Sequence, residues 1–492
     1  MSEKYDSVVI GAGAGGLAMA LLLAASGRKT LVVEKSPSPG GALGSFTHKG
    51  YNLDAGFHFA GALQNGGIFD RILHSFGIRE MITPQFLDSD TANRFHFTSS
   101  GRIIDFPYGI ENLKKSLKGQ FPGENNAINT YFRDIERIVR HTPTLHFATL
   151  HLTPEPLKED TITFSSYLDS ITDNNLLKQT LNALVMCHGS APSEISLAAN
   201  ARLCYGFYES VSTIKGGGKA LVDAFLTALR KHNVELKCSE EAIKITDIKN
   251  KRAGKLLLKS GGEIEAENFI LTVSPQIIAD ILPKEHFPPA FFKRVGSYQC
   301  TPGFFTVFAF LDEGTKTIDS SSITSMYPVD DIDCLSLPGW QGPGALAVMH
   351  SKSGNTDIIT AFEPLYWKTV SAWEGSATGK RPADYYKWKK AKTEEILSRI
   401  TECFPSYREK INHITSATPL TYRDYLNHYH GAAYGIKQKP GQFNLMGPFR
   451  IRNIFAAGQS AVLPGVLGTI MASVLVARHI IGTDEFTRTL KL

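Results

Sequence analysis

The stretch SVVIGAGAGGLAMALLLAASG, residues 7–27, decides the fold. It opens with an apolar run of strand length, turns through four glycines between positions 11 and 16, and continues as an alanine- and leucine-rich segment. Gly11, Gly13 and Gly16 take the positions of a GxGxxG loop, which combines a tight turn, a close approach of backbone to a pyrophosphate, and close packing of helix on strand. The stretch therefore predicts a strand, a phosphate-binding turn and a helix.

A second apolar run, KTLVVEK at residues 29–35, supports a dinucleotide site. It contains Glu34, 23 positions after Gly11, where an acid accepts hydrogen bonds from the ribose hydroxyls of an adenosine. Strand, turn, helix and acid together predict an α/β dinucleotide-binding domain. A glycine-rich turn that holds no ligand is the alternative.

The composition narrows the class of protein. The chain has 492 residues, enough for two or three domains, and 42% of them are hydrophobic. The formal net charge of +5 is spread along the chain without a basic run, so we expect no nucleic-acid partner. The six cysteines are never closer than 17 positions, which gives no CxxC pair and no metal site.

Two uncharged segments, residues 7–27 and 453–477, are each long enough to span a bilayer. Glycines interrupt both segments, and Pro464 interrupts the second, so a strand, a turn and a helix fit them better than a membrane span. The first apolar run follows only six residues, among them Glu3 and Asp6, which does not resemble a secretory leader. We expect a cytoplasmic protein, with peripheral contact at the inner face of a membrane as a further hypothesis.

Two longer motifs indicate which dinucleotide is bound. EKSPSPGGALGSFTHKGYNLDAG at residues 34–56 and NIFAAGQSAVLPGVLGTIMASVLVARHIIG at residues 453–482 resemble the flavin-binding amine oxidase and carotenoid desaturase superfamily. The resemblance implies FAD, with the second glycine pair near the flavin and the amides of the closing helix directed at the flavin ring. The cofactor-binding residues that it implies are Gly11, Gly13, Ala14, Gly15, Gly16, Glu34, Lys35, Gly41, Ala42, Phe57, His58, Ile243, Gly458, Gln459, Val466, Leu467, Gly468 and Thr469.

The same resemblance predicts the architecture, an α/β fold with an α+β substrate domain. A discontinuous Rossmann-like FAD-binding domain of the amine oxidase and phytoene desaturase type would comprise residues 1–89, 212–289 and 415–492. Residues 90–211 would form a helical lid, and residues 290–414 a mixed-sheet substrate domain.

Within the superfamily, GYNLDAGFHFAG at residues 50–61 and TPLTYRDYLNHYHGAAYGIK at residues 418–437 look most like the branch of retinol saturases, carotene isomerases and bacterial phytoene desaturase-like proteins. Many desaturases have arginine after the second glycine pair, whereas this chain has Ala42. The departure argues against a standard phytoene desaturase.

The branch implies an FAD-dependent oxidoreductase that acts on C–C and C=C bonds of a long apolar polyene, with hydride exchange at flavin N5. Saturation, desaturation and isomerisation all stay open, as does the electron partner, such as a quinone or NAD(P)H. His58 is the candidate proton-transfer group and Tyr434 a second one. Alternatively, His58 only hydrogen-bonds a backbone group or FAD. A flavin amine oxidase and a non-catalytic flavin or polyene carrier are the rival functions.

Two segments of the predicted substrate regions have two interpretations each. YFRDIERIVRH at residues 131–141 combines an apolar face with arginines, which is typical of a helix on a membrane surface and equally of a helix packed on its own domain. The aromatic run at residues 304–310 alternates as a strand does, either as the floor of a substrate tunnel or as plain core.

Overall fold

The structure is a computed structural model and describes residues 4–335, 340 and 342–492. Its strands are β1 Lys4–Ile10, β2 Thr30–Val33, β3 Ser45–His48, β4 Tyr51–Asp54, β5 Ala60–Gly61, β6 Pro84–Phe86, β7 Asn93–Phe97, β8 Arg102–Phe106, β9 Val211–Ile214, β10 Glu235–Lys237, β11 Ala242–Thr246, β12 Lys255–Leu258, β13 Glu263–Leu271, β14 Gly303–Leu311, β15 Ile323–Tyr327, β16 Leu346–Ser353, β17 Thr356–Leu365, β18 Ile411–Ala417, β19 Gly447–Pro448 and β20 Ile454–Ala456. Its helices are α1 Ala14–Ala25, α2 Ile68–Ser75, α3 Ile110–Gln120, α4 Asn125–Arg140, α5 Phe164–Ile171, α6 Asn175–Asn182, α7 Leu197–Glu209, α8 Gly217–Lys231, α9 Pro275–Ile281, α10 Pro289–Gly296, α11 Ile332–Leu335, α12 Ala383–Cys403, α13 Pro419–Leu426, α14 Gly465–Ile481 and α15 Thr483–Leu490.

The first sheet is a doubly wound α/β sheet. Five strands run parallel in the order β10-β2-β1-β13-β20, and β12 and β11 continue from β13 as an antiparallel extension. Val9 of β1 packs in the core with α1, α8 and α14, whereas Val8 and Ile10 pack in the core with α9 and α10. The α/β prediction is confirmed, and the carboxyl ends of the parallel strands form the crevice in which such sheets bind ligands.

The second sheet has seven strands in the order β18-β14-β17-β16-β15-β7-β8, all antiparallel except the β15 and β7 pair. The sequence division assigned β7 and β8 to the helical lid, but both strands extend this mixed sheet. The reason is visible in β7, where Asn93, Phe95 and Phe97 are buried and the residues between them are half-buried, as expected for one strand face against a core. The rest of the predicted lid, residues 90–211, contains helices α3 to α7.

Helix α4 contains the basic amphipathic stretch. Tyr131, Phe132, Ile135, Ile138 and Val139 are all at most 3% exposed and lie in or beside the core that α3, α5 and α7 share. The apolar face of α4 therefore packs on its own domain, which fits the interpretation of this stretch as a helix packed on its own domain.

Residues 7–27 and 453–477 form the strand, turn and helix that their glycines predict, in β1 and α1 and in β20 and α14. Among the residues that the structure describes, no helix combines the length and the apolar character needed to cross a bilayer.

Candidate functional site

A cavity of about 940 Å³ begins at the carboxyl ends of the parallel strands and extends to the second sheet. This volume lies at the upper end of the range for small-molecule sites. The predicted site residues that line it are Gly11, Gly13, Ala14, Gly15, Glu34, Lys35, Gly41, Ala42, Phe57, His58, Ile243, Tyr434, Gln459, Val466, Leu467, Gly468 and Thr469.

Two predicted residues, Gly16 and Gly458, do not line the cavity. A Cβ at Gly16 would lie 1.9 Å from the carbonyl oxygen of Gly11, and a Cβ at Gly458 would lie 3.2 Å from that of Thr272. Both positions need glycine for close backbone packing. Gly16 joins α1 to the turn. Gly458 lies against Gly15, which also belongs to α1.

The first glycine loop and Glu34 form one end of the cavity. The Glu34 carboxylate accepts hydrogen bonds from the backbone N–H groups of Ala12 and Ser36, both at 2.7 Å. A carboxylate offers about four acceptor positions, so capacity remains for ribose hydroxyls. Ile243 lines the same end and is 40% exposed.

The second glycine pair is held against the first loop. The Gly40 N–H donates to the Ala12 carbonyl at 2.8 Å, and a Cβ at Gly41 would lie 3.4 Å from the Cα of Gly13. Gly40 and Gly41 have φ values of 120° and 53°, a region that favours glycine. The PGG motif is thus needed for this close approach.

Two helix N-termini border this cavity. Gly13 precedes α1 and Pro464 precedes α14, neither helix has a side-chain cap, and neither has an acid in its first turn. Uncapped N-terminal amides and the positive end of the helix dipole favour anionic groups. Gln459 connects the closing motif to the segment before Tyr434 by donating from Nε2 to the Ala433 carbonyl at 3.0 Å. The glycine loop and the two helix N-termini therefore suit the phosphate groups of a dinucleotide.

Asp54 anchors the loop that carries His58. Its Oδ1 accepts a hydrogen bond from the Gly218 N–H at 3.0 Å, and a Cβ at Gly217 would lie 2.3 Å from both carboxylate oxygens. Burial raises the pKa of the Asp54 carboxyl to about 6, although the Gly218 hydrogen bond acts in the opposite direction. The start of α8 thus holds a carboxyl group whose charged form is disfavoured.

We expect Asp54→Asn to raise the free energy of unfolding at pH 7.5. The folded protein binds the Asp54 proton more tightly than the unfolded chain does. The free energy of unfolding of the wild-type protein therefore falls as the pH rises from about 4 to about 6, and it does not recover above about pH 6. Asparagine keeps the acceptor for Gly218 without the charge, which predicts a gain of about 1–3 kcal/mol. Denaturant unfolding at pH 5 and pH 7.5 measures this change in the free energy of unfolding, and Asp223→Asn on the exposed side of α8 is the control. A less stable Asp54→Asn protein at pH 7.5 would contradict the prediction.

The His58 imidazole is part of a chain of aromatic rings along the cavity. It stacks on Phe362 with ring centroids 5.1 Å apart and an angle of 14°, Phe304 contacts Phe362 edge-on at 5.3 Å, and Tyr434 contacts Phe304 at 6.2 Å. Within the described part of the chain, neither His58 nitrogen has a hydrogen-bond partner, so a backbone partner for this ring is not observed. Burial lowers the pKa of His58 to about 4, and the imidazole is neutral at pH 7.

Tyr434 stands at the other end of this ring chain. Its backbone N–H donates to the Thr301 hydroxyl at 3.0 Å, which fixes the main chain, while the phenol lines the cavity. Burial raises the pKa of Tyr434 well above its ordinary value, so the hydroxyl keeps its proton. The cavity therefore contains a neutral proton acceptor and a protonated donor within one aromatic wall.

The aromatic strand β14 contributes both to the cavity wall and to the core. Phe304 and Thr306 line the cavity, whereas Phe305 packs in the core with α12. Phe308 and Phe310 pack against the β3 and β4 hairpin, where their ring partners are Phe46 and Tyr51. Only the beginning of the strand forms part of the cavity wall, and the remainder is core.

Sequence reasoning missed several cavity residues. Asn427 donates from Nδ2 to the Ser36 hydroxyl at 3.0 Å and so ties the segment after α13 to the Glu34 end of the cavity. Its φ of 55° after α13 is typical of an Asn that ends a helix, a signal that the sequence does carry. The contact itself and the stacking of Phe362 on His58 depend on tertiary packing.

Comparison with known proteins shows similarity to a protein family, to individual relatives and to a solved structure. Residues 14–312 match the family described as flavin containing amine oxidoreductase. The chain is 25% identical to all-trans-retinol 13,14-reductase of Danio rerio, over 95% of this chain and 84% of that protein, and 24% identical to chloroplastic prolycopene isomerase of Daucus carota, over 97% and 80%. The solved structure of wild-type putrescine oxidase bound to putrescine aligns with a TM-score of 0.65 at 14% identity, over 98% of this chain and all of that one.

Proposed function

This chain belongs to the flavin containing amine oxidoreductase family, and from that membership we propose that it is an FAD-dependent oxidoreductase acting on C–C and C=C bonds of a long apolar polyene, a carotenoid or retinoid. The family match confirms the superfamily that the sequence motifs indicate. The observation that carries the proposal is the continuity of one cavity, from a dinucleotide cradle at Gly13 and Glu34 to an aromatic wall at His58 and Phe362.

The likenesses support a polyene over an amine. The retinol reductase and the prolycopene isomerase align over 95% and 97% of this chain. Putrescine oxidase shares the fold at 14% identity, and a shared fold alone does not define a substrate. Apolar aromatic surface at the reacting end of the cavity suits a conjugated hydrocarbon chain.

The chain's own residues would supply proton transfer and exclusion of water. A bound flavin supplies hydride exchange at N5. His58, neutral at pH 7, accepts a proton from the substrate carbon when a double bond forms. Tyr434, which keeps its proton, donates toward the substrate when a double bond is reduced, and Phe304 and Phe362 keep the space between the two groups apolar.

Electrons would enter or leave through a diffusing partner. Among the described residues one cradle has the two uncapped helix N-termini and the paired glycine loops of a dinucleotide site. A quinone or NAD(P)H would therefore exchange electrons with the same cofactor, while isomerisation would need no net electron transfer.

The test is anaerobic and uses the holoprotein. Purified protein is mixed with retinol, a phytoene-type polyene and a lycopene-type polyene, each with and without a reductant, while the flavin spectrum and the product mass are followed. We expect one polyene either to change the flavin redox state or to be converted. A gain of two hydrogens identifies a saturase, a loss of two a desaturase, and an unchanged mass with a new isomer an isomerase.

The same experiment separates the rivals. A flavin amine oxidase would release peroxide with amines in air and would ignore all three polyenes. A carrier would bind a polyene without any redox change or conversion. Either result would overturn the proposed function.

A further inference from the structure

A polar group of residues forms a different end of the cavity, away from Glu34. This end is lined by Arg71 of α2, by His146, which lies between α4 and α5, and by Glu209 of α7. We name these three residues the vestibule. His146 and Glu209 are close enough to interact electrostatically, and Glu209 is hydrogen-bonded to Gln64, two residues before Gly66. The vestibule is therefore one local cluster that connects α2 with α7.

Arg71 differs from the other lysine and arginine residues that line the cavity. Lys35 pairs with Glu241 at 2.8 Å, and Arg202 pairs with Asp160 at 2.5 Å. Arg71 donates from Nε to the Gly66 carbonyl at 2.9 Å, and in the described part of the chain it has no carboxylate partner.

That single hydrogen bond fixes the guanidinium and leaves its outer edge available. An arginine held in this way presents two parallel N–H groups, the geometry that matches a carboxylate. Arg71 is exposed and also lines the cavity, which locates the vestibule at a mouth of the cavity.

The path from the vestibule to His58 is apolar. Phe59 follows His58 in the chain and contacts Phe207 edge-on, with ring centroids 5.5 Å apart. Phe207 lies on α7 together with Leu203 and Glu209, and all of these residues line the cavity. Toward its C-terminal end, α7 thus presents apolar Leu203 and Phe207 and then Glu209 to the cavity, which matches a ligand with a long apolar body and one polar end.

We propose that the substrate is an amphipathic polyene with a terminal carboxylate, which binds the free edge of the Arg71 guanidinium while its conjugated chain extends past Phe59 and Phe207 to His58. This inference rests on the proposed function and narrows its substrate class. The Arg71 site is distinct from the dinucleotide end of the cavity, where Glu34 suits ribose hydroxyls and the two helix N-termini suit phosphates.

Glu209 is the one acid in the vestibule. Burial raises its pKa, while the Gln64 hydrogen bond and the nearby His146 act in the opposite direction. The Gln64 hydrogen bond thus gives the Glu209 carboxyl a partner within the protein.

The test compares three polyenes of equal length that end in a carboxylic acid, an alcohol or a methyl group. Binding is measured at equilibrium from the change in the flavin absorbance spectrum of the holoprotein, without turnover. We expect Arg71→Met to weaken binding of the acid about 10- to 100-fold, as loss of a charge-assisted pair implies, and to change the other two less than about twofold. Arg71→Lys should restore part of the affinity for the acid.

Arg133→Met is the matched control, because Arg133 lies on the exposed side of α4 beside Asp134 and does not line the cavity. Thermal unfolding of each variant shows whether the fold is intact. If Arg71→Met binds the acid as tightly as the parent protein does, the carboxylate assignment is wrong, although polyene turnover would still support the proposed function. If none of the three polyenes changes the flavin spectrum of the parent protein, the proposed function itself fails.

Discussion

Gly13→Ala is expected to give a folded protein that binds its flavin about 10- to 100-fold more weakly. Gly13 has a φ of −74°, which alanine adopts freely, and a Cβ there would meet no protein atom within 4 Å. The position lines the cavity at the start of α1, where a pyrophosphate approaches the backbone. The added methyl group would occupy the volume of the ligand and leave the protein's own packing intact.

Two other glycines of helical segments provide matched controls. Gly16→Ala would place a Cβ 1.9 Å from the Gly11 carbonyl oxygen, so we expect loss of the fold as well as of flavin. Gly119→Ala, on the exposed side of α3 with open space around it, should raise stability by about 0.5–1 kcal/mol and leave flavin binding unchanged.

The measurement combines thermal unfolding of the apoprotein with a titration of flavin fluorescence. Normal unfolding together with weak flavin binding in Gly13→Ala separates a cradle for a ligand from a merely structural turn. If Gly13→Ala binds flavin as tightly as the parent protein, the pyrophosphate does not lie at this loop.

The dinucleotide end was predictable because its signals are local in sequence. Gly11, Gly13 and Glu34 lie within 24 residues, and the conformation that each needs follows from the turn and the strand on which it lies. The closing motif around Val466 was predictable for the same reason, since Pro464 and the glycines beside it mark where α14 begins.

The substrate end was predictable only in part, because its contacts join distant segments. Phe362 lies 304 positions after His58, and no pattern around either residue indicates that their rings stack. Strands β7 and β8 are short, and their assignment to the second sheet depends on the parallel pairing of β7 with β15, more than 220 positions later. Arg71 was overlooked because, among the residues that the structure describes, it has no carboxylate partner such as Lys35 and Arg202 have, and the sequence does not show this.

We expect His58→Ala to keep its bound yellow flavin and to lose polyene turnover by about 10²- to 10⁴-fold, the usual range for removal of a general acid or base. The imidazole contacts Phe362 and the cavity, with no described hydrogen bond to hold the fold, so its loss should affect chemistry more than stability. Tyr434→Phe removes only the hydroxyl and tests the donor in the same way. His350→Gln is the control, because His350 is a half-buried histidine with a pKa also lowered to about 4 that does not line the cavity.

The pH dependence distinguishes a proton-transfer role for His58 from mere contact with the cofactor. Because burial lowers the His58 pKa to about 4, the neutral form that accepts a proton is present throughout pH 5 to 8 and is lost as the pH falls toward 4. Single-turnover rates of the parent protein should therefore be flat above about pH 5 and decline below it, and the residual rate of His58→Ala should lack this decline. Full turnover in His58→Ala, or the same decline in both proteins, would assign the imidazole to holding the ligand and leave Tyr434 as the remaining candidate for proton transfer.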